Sequence, residues 1–229
     1  MKKVYQPARR VITRRAVIQN GRFASRKMGR AIDFESPVER DFLFLAEYDR
    51  QVVGIWEQPL KVAVELGGKW RNKYPDFKLL MRNGEIRIHE VKPKKEAEKL
   101  ENQAAFEALE NLFMEVGVDY RVTVDTDIRK EPRLQNIKNL ARYAVRMPSQ
   151  MDLLWLRQLL GEVAVITVGD LAEGKFGRML TKPTVYGLIF RGELDIDINL
   201  PLTNDTLLFK GDFPTQRYTG AEPEVALCD

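Results

Sequence analysis

Asn83-Gly84 stands between two segments rich in strand formers, Lys73 to Met81 and Glu85 to Lys92. An Asn-Gly pair accepts the positive φ angles of a tight hairpin turn, so the segments read as neighbouring antiparallel strands. Their far ends carry Tyr74-Pro75-Asp76-Phe77 and Ile88-His89-Glu90-Val91-Lys92. Successive side chains of a strand point to opposite faces. Glu90 and Lys92 therefore share a face with Ile86 and Ile88, while His89 and Val91 point away. The loop length decides where Asp76 falls. A two-residue loop sets it across from Val91; a three-residue loop with Gly84 in the left-handed conformation sets it across from Glu90.

That juxtaposition has chemical meaning. Two carboxylates are hard oxygen ligands suited to a divalent cation, and a neighbouring Lys can orient a water or neutralise a phosphate. The set matches the needs of a metal-dependent phosphodiesterase, and it requires the longer loop or a bulge near Asp76. In this reading Asp76, Glu90 and the Val91 carbonyl hold Mg²⁺ (or Mn²⁺), Glu39 binds a second ion directly or through water, and Lys92 acts on the attacking water or the scissile phosphate. Gln58, before Pro59, is a candidate hydrogen-bonding neighbour. Each residue has an ordinary alternative: Glu39 as a capping-box partner, Asp76 as a turn residue after Pro75, Glu90 and Lys92 as an exposed strand pair. His89, the only His, reads as a strand residue without a catalytic part.

The other elements place these residues. Ser36-Pro37-Val38-Glu39 starts a helix, with Ser36 as N-cap and Pro37 at the first helical position, running to about Tyr48. Val52 to Trp56 and Leu60 to Val64 read as strands. Residues 94–115 carry the longest helical pattern, Tyr120 to Val124 is a strand, and Arg133 to Arg146 is helical. Met147-Pro148-Ser149 is the expected domain boundary. Beyond it come helices at Met151–Leu160, Thr167–Ala172 and Pro183–Phe190. An alternating strand through residues 193–199 and a return at Thr206–Phe209 then suggest a winged-helix-like module. The expected division is an arm at 1–32, a catalytic α/β domain at 33–147, the small module at 148–212 and a flexible tail at 213–229.

Charge sharpens the division. Of 37 Lys and Arg, ten fall in residues 1–30, which hold no acid; the remainder has 27 bases against 33 acids. A basic arm on an acidic body suggests phosphate contact. The candidates are Arg9, Arg10, Arg14, Arg15, Arg22, Arg26, Lys27 and Arg30. One Cys, Cys228, excludes an internal disulfide framework, and one His with one Cys argues against structural zinc. No apolar run approaches the roughly 20 residues of a membrane helix.

At Phe34-Glu35-Ser36-Pro37-Val38-Glu39-Arg40-Asp41-Phe42-Leu43, Gln58-Pro59, Tyr74-Pro75-Asp76-Phe77 and Glu90-Val91-Lys92, the chain resembles the PD-(D/E)xK nucleases. More narrowly, it resembles the TnsA family, the endonuclease subunits of heteromeric transposases. The stretch Val185 to Leu208 is similar to that family's winged-helix domain. The resemblance implies a restriction-endonuclease-like mixed sheet flanked by helices, with Glu39, Asp76 and Lys92 in the catalytic positions. Some relatives carry Gln at position 90; here it is Glu. The resemblance also implies double-stranded DNA at transposon ends as substrate, with the 5′ strands cut while a DDE-type transposase processes the 3′ strands. An AAA+ ATPase regulator would meet the C-terminal domain, and the setting would be the bacterial cytoplasm, at the nucleoid when bound to DNA. The competing readings are a stand-alone restriction-like or phage DNA-processing nuclease, and a DNA-binding assembly subunit without catalysis. Glu193, Asp195 and Asp197 make the C-terminal strand a poor phosphate surface, so that module is expected to bind protein.

Overall fold

The computed structural model describes residues 6–9, 20–212 and 214–226. The chain divides into two units, residues 1–129 with 216–229, and residues 130–215. The expected boundary at 147/148 therefore moves to 129/130, because the helix at 133–141 packs within the second unit.

The first unit opens with a hairpin of β1 (Gly21–Ser25) and β2 (Arg30–Phe34), followed by α1 (Pro37–Tyr48) and β3 (Val52–Glu57). A second hairpin, β4 (Val62–Leu66) and β5 (Lys69–Lys73), precedes β6 (Phe77–Met81) and β7 (Ile86–Lys92). The single turn α2 (Lys94–Ala97), the long α3 (Leu100–Glu115), β8 (Asp119–Val124) and the turn α4 (Asp125–Ile128) complete it. One central sheet is ordered β3-β6-β7-β8, antiparallel except for the β7–β8 pair. The α2–α3 crossover makes that parallel pairing possible. The expected mixed sheet flanked by helices is present.

Alternation sorts the side chains. Phe77, Leu79 and Met81 of β6 and Val91 of β7 join Phe42 and Leu43 of α1 in one buried cluster. Phe42 and Phe77 stack with ring centroids 5.3 Å apart. On the other side Ile88 and Tyr120 join Leu109 and Phe113 of α3 with Val62 and Val64 of β4. The sheet is thus covered on both faces, with α1 and α3 each placing an apolar stripe against it.

Two expectations about the chain ends change. Residues 21–34 are not part of a loose arm: Phe23, Ile32 and Phe34 point inward and bury against α1, while Arg22, Ala24, Ala31 and Asp33 alternate with them. Nor is 213–229 simply a tail. Its described stretch 216–226 belongs to the first unit, where Tyr218 N–H donates to the Lys27 carbonyl and Val225 packs beside the α3 cluster. Lys78, 3 % exposed, explains part of this: its ammonium meets Glu222 at 2.5 Å and the Pro223 carbonyl at 2.6 Å, a partner a buried charge requires.

The second unit is mostly helical: α5 (Arg133–Ala141), α6 (Gln150–Glu162), α7 (Val168–Ala172) and α8 (Lys182–Arg191). Ser149 and Thr167 cap α6 and α7, each in a complete capping box. At Gly187 an added Cβ would sit 2.6 Å from the Tyr143 carbonyl, so the close approach to α8 requires glycine. The alternating run 193–199 pairs over only two residues: β9 (Leu194–Asp195) against β10 (Phe209–Lys210). Beyond Asp195 the chain turns, and Asn136 Nδ2 holds the Ile198 and Leu200 carbonyls at 3.0 and 2.7 Å. No described helix is long and apolar enough to cross a membrane.

Candidate active site

The β6–β7 turn decides the site. Phe77 pairs with His89, Lys78 with Ile88, and Leu80 with Ile86. Met81 N–H donates to the Glu85 carbonyl, Gly84 N–H to the Met81 carbonyl, and Gly84 has φ +88°. This is the three-residue loop closed by a left-handed glycine, and continuing the register by one residue sets Asp76 opposite Glu90.

Lys92 ties the pair together. Its Nζ lies 2.8 Å from Glu90 Oε1 and 3.3 Å from Asp76 Oδ2. Asp76 Oδ2 also accepts the Val91 N–H at 2.8 Å, which fixes the carboxylate across the hairpin. The Asp76 carbonyl accepts the Gln58 N–H at 2.9 Å, so the end of β3 is pinned to the same point. Gln58 adopts φ +42°, an uncommon conformation for a residue with a Cβ, and its buried Oε1 has no hydrogen-bond partner among the described residues. Strain and an orphaned acceptor of this kind concentrate at functional sites.

Glu39 is held by the start of α1. Its Oε1 accepts from Ser36 Oγ at 2.9 Å and its Oε2 from Glu35 N–H at 2.7 Å, while Ser36 Oγ accepts the Glu39 N–H at 3.2 Å. Ser36 thus caps the helix while Glu39 reaches back to the Ser36 hydroxyl and the Glu35 N–H, which holds its buried carboxyl in the field of Asp76 and Lys92. Burial, and then the charge of Asp76, push the Glu39 carboxyl up to about 7. The same two causes push Glu90 up to about 7. Burial works against the Lys92 ammonium, but the charges of Asp76 and Glu90 outweigh it and hold Lys92 above its ordinary range.

The balance is three carboxyls against one ammonium, all largely withdrawn from water. The donors are all oxygen, the excess is negative, and the orphaned Gln58 oxygen belongs to a residue bonded to Asp76; this chemistry fits a hard divalent cation. In this conformation Lys92 occupies the space between Asp76 and Glu90. Among the described residues no three acidic, His or Cys side chains converge on one point as a metal-ligand group.

His89 stands apart, as expected. It packs on Phe42 with centroids 5.0 Å apart, its Nδ1 is 3.0 Å from Thr123 Oγ1, and burial lowers its pKa to about 4. Tyr120 is a buried residue that sequence reasoning did not single out. It stacks on Phe113 on the sheet face that carries Ile88 and Glu90, its hydroxyl lacks a partner among the described residues, and burial and the Glu90 charge raise its pKa.

The proposed phosphate contacts separate. Arg10, Arg14 and Arg15 lie outside the described residues. Arg22 and Arg26 are exposed, Arg22 lying 3.4 Å from Asp33. Arg9 pairs with Glu35 at 2.7 Å and lies over the Tyr74 ring. Lys27 and Arg30 do not present free charge. The Lys27 ammonium is buried against the Ala46 and Asp49 carbonyls at the C-terminus of α1, where the helix dipole favours a cation. Arg30 forms a two-bond pair with Glu57 at 2.7 and 2.6 Å.

Buried carboxyls beside a lysine at one end of a hairpin are a donor set suited to a hard cation and to phosphate. Residues 49–125 match the family model described as TnsA-like endonuclease N terminal, and over that stretch the chain is similar to those endonucleases. The match spans Gln58, Asp76, Glu90 and Lys92 and begins after Glu39. Comparison with curated proteins finds no match.

Proposed function

We propose that the chain is the Mg²⁺-dependent DNA endonuclease subunit of a heteromeric transposase, hydrolysing the 5′ strands at transposon ends. The observation that carries the reading is the Asp76–Lys92–Glu90 cluster inside a segment similar to TnsA-like endonucleases. Asp76, Glu90 and the Val91 carbonyl would hold the ion, and Glu39 would meet a second directly or through water. Bound there, Mg²⁺ (or Mn²⁺) supplies Lewis-acid polarisation of the scissile phosphate, worth several kcal/mol of transition-state stabilisation. Lys92 stays an ammonium at neutral pH, so it orients the attacking water and offsets phosphate charge; it does not remove a proton. Burial and the Asp76 charge push the ion-free Glu39 carboxyl up to about 7, and a cation beside it would favour the ionised form a ligand needs.

The second unit is the proposed partner-binding, winged-helix-like part, toward an AAA+ ATPase regulator. Leu153, Leu156 and Leu160 of α6, with Arg157, Glu193 and Lys210, line a cleft of about 330 Å³. An apolar floor with a mixed-charge rim suits protein recognition.

The test is strand-specific cleavage of labelled transposon-end duplex with Mg²⁺ or Mn²⁺, with and without the cognate DDE-type transposase, using Asp76→Ala as control. A partner-dependent 5′-strand nick supports the reading. Cutting of any duplex by the chain alone moves it to the restriction-like or phage-processing class, and absence of any Asp76-dependent cutting leaves a DNA-binding assembly subunit.

A further inference from the structure

Strand β5 reads Lys69-Trp70-Arg71-Asn72-Lys73, and all but Lys73 are exposed. Strand β4 packs its Val62 and Val64 into the α3 cluster. Among the described residues β5 pairs with β4 alone, and no described strand lies on its other edge. The ribbon ends in a tight Gly67-Gly68 turn with φ +58° and +71°, and neither glycine has any atom within 4 Å of where a Cβ would lie. Its other end runs through Tyr74-Pro75 directly into Asp76.

Three features set this ribbon apart. Lys69, Arg71 and Lys73 have no carboxylate partner among the described residues, whereas Lys78, Arg87 and Lys92 of the central sheet and Arg30 of β2 are all paired. Being alternate residues, the three share one side of the strand, opposite Val62, Val64 and Leu66 and so flanking the apolar side of the ribbon, and sit about 6.8 Å apart. Two nucleotides along one strand of B-DNA rise by about the same distance, at roughly 3.4 Å each. Trp70, on the opposite side, is 72 % exposed across from Glu65, the most exposed aromatic among the large exposed apolar residues. A two-stranded ribbon is also narrow enough to enter the major groove.

We infer that the β4–β5 ribbon is a DNA-contacting element: Lys69, Arg71 and Lys73 track the phosphates of the duplex beside the cut, and Trp70 packs against sugar or base at the ribbon tip. The inference rests on the proposed reading that the cluster cuts DNA, and it adds how the duplex is led to Asp76. The field of Lys73 reaches the site, since it is among the charges that favour ionised Glu90. A lysine-rich open edge has another use, discouraging edge-to-edge association, but that role gives no reason for an exposed Trp.

Binding of the full chain to a labelled duplex, followed by anisotropy across a salt series, tests the inference. The side chains changed are exposed, and circular dichroism with thermal melting confirms the fold of each variant. Each lost phosphate contact lowers the slope of log K against log salt by about 0.9, so Lys69→Ala/Arg71→Ala lowers it by about 1.8 and weakens binding at least tenfold. Trp70→Ala weakens binding several-fold with the slope unchanged. If both variants bind like the parent while the parent cuts DNA, the ribbon assignment is wrong and the nuclease reading stands. If the parent neither binds nor cuts duplex DNA, both fall together. If the double variant is unchanged by anisotropy but forms higher oligomers, the cations guard the edge and the inference is overturned.

Discussion

Removing the Lys92 ammonium tests the electrostatic account of the site. Its Nζ touches Glu90 at 2.8 Å and Asp76 at 3.3 Å, and in Lys92→Ala with a chelator present that contact disappears. Deleting one partner of a buried pair costs about 3–5 kcal/mol. Lys92 is 31 % exposed, and a carboxyl can escape the loss by binding a proton, so about 1–3 kcal/mol is expected at pH 8. The pH dependence follows from sign. Glu90 titrates near 7 instead of 4.5, first through burial and then through the Asp76 charge. A carboxyl raised in this way contributes its stability fully below about 4.5 and loses it as pH rises through about 7. Removing Lys92 raises Glu90 further. Near pH 6 Glu90 is already mostly protonated and the substitution loses mainly the Asp76 contact, so it costs less; at pH 8 it costs the full amount. Urea denaturation at both pH values, with chelator or with millimolar Mg²⁺, reads this directly. Mg²⁺ should restore most of the loss at pH 8, since one cation replaces another, while cleavage stays absent. An equal loss at both pH values, insensitive to Mg²⁺, would refute the reasoning and make Lys92 a packing residue.

Three further outcomes are expected. Glu222→Gln leaves the buried Lys78 with a neutral partner and should destabilise the first unit by about 1–3 kcal/mol, seen as a lower denaturation midpoint. Gly84→Ala, at φ +88° with open space around it, should cost about 1–2 kcal/mol from backbone strain alone. Because the turn sets the Asp76–Glu90 register, cleavage should fall by more than that stability loss predicts. Lys27→Met should destabilise the protein without changing the salt slope of DNA binding, whereas Arg26→Ala should lower the slope by about 0.9 if the exposed arginines meet phosphate.

What was legible in the sequence was local. Ser36-Pro37 and Glu39 start α1 through contacts three residues apart, and the Asn83-Gly84 turn fixes register through backbone angles alone. The demand that Asp76 face Glu90 called for the longer loop or a bulge near Asp76, and the longer loop is the one present. What was hidden depends on distant partners. Strand β5 is Lys69-Trp70-Arg71-Asn72-Lys73, with no apolar alternation to betray it; the only signal was Gly67-Gly68 after the alternating Val62 and Val64. The segment 73–81 therefore read as one strand, although Lys73 pairs with Val62 and the sheet strand starts at Phe77. The packing of 216–226 rests on Lys78, Trp56 and Lys27, none of which is near it in sequence.

The basic arm shows why counting charge is not the same as locating it. Ten cations and no acid in residues 1–30 describe a sequence, but a charge meets phosphate only if the fold leaves it free. Arg30 is spent on Glu57 and Lys27 on carbonyls at the end of α1. Phe23 and Ile32 would have disclosed the hairpin, because each is followed two residues on by another inward side chain, Ser25 and Phe34. The fold thus withdraws part of the surplus that drew attention to the arm. Among the described residues it leaves cations without carboxylate partners on β5, a strand whose composition is ordinary against a chain rich in Lys and Arg. Where the cations of one segment find carboxylates or carbonyls and those of another do not, the unpaired set is the better guide to the path of an anionic polymer. By the inference drawn for β5, that path would end at Lys73, three residues from Asp76.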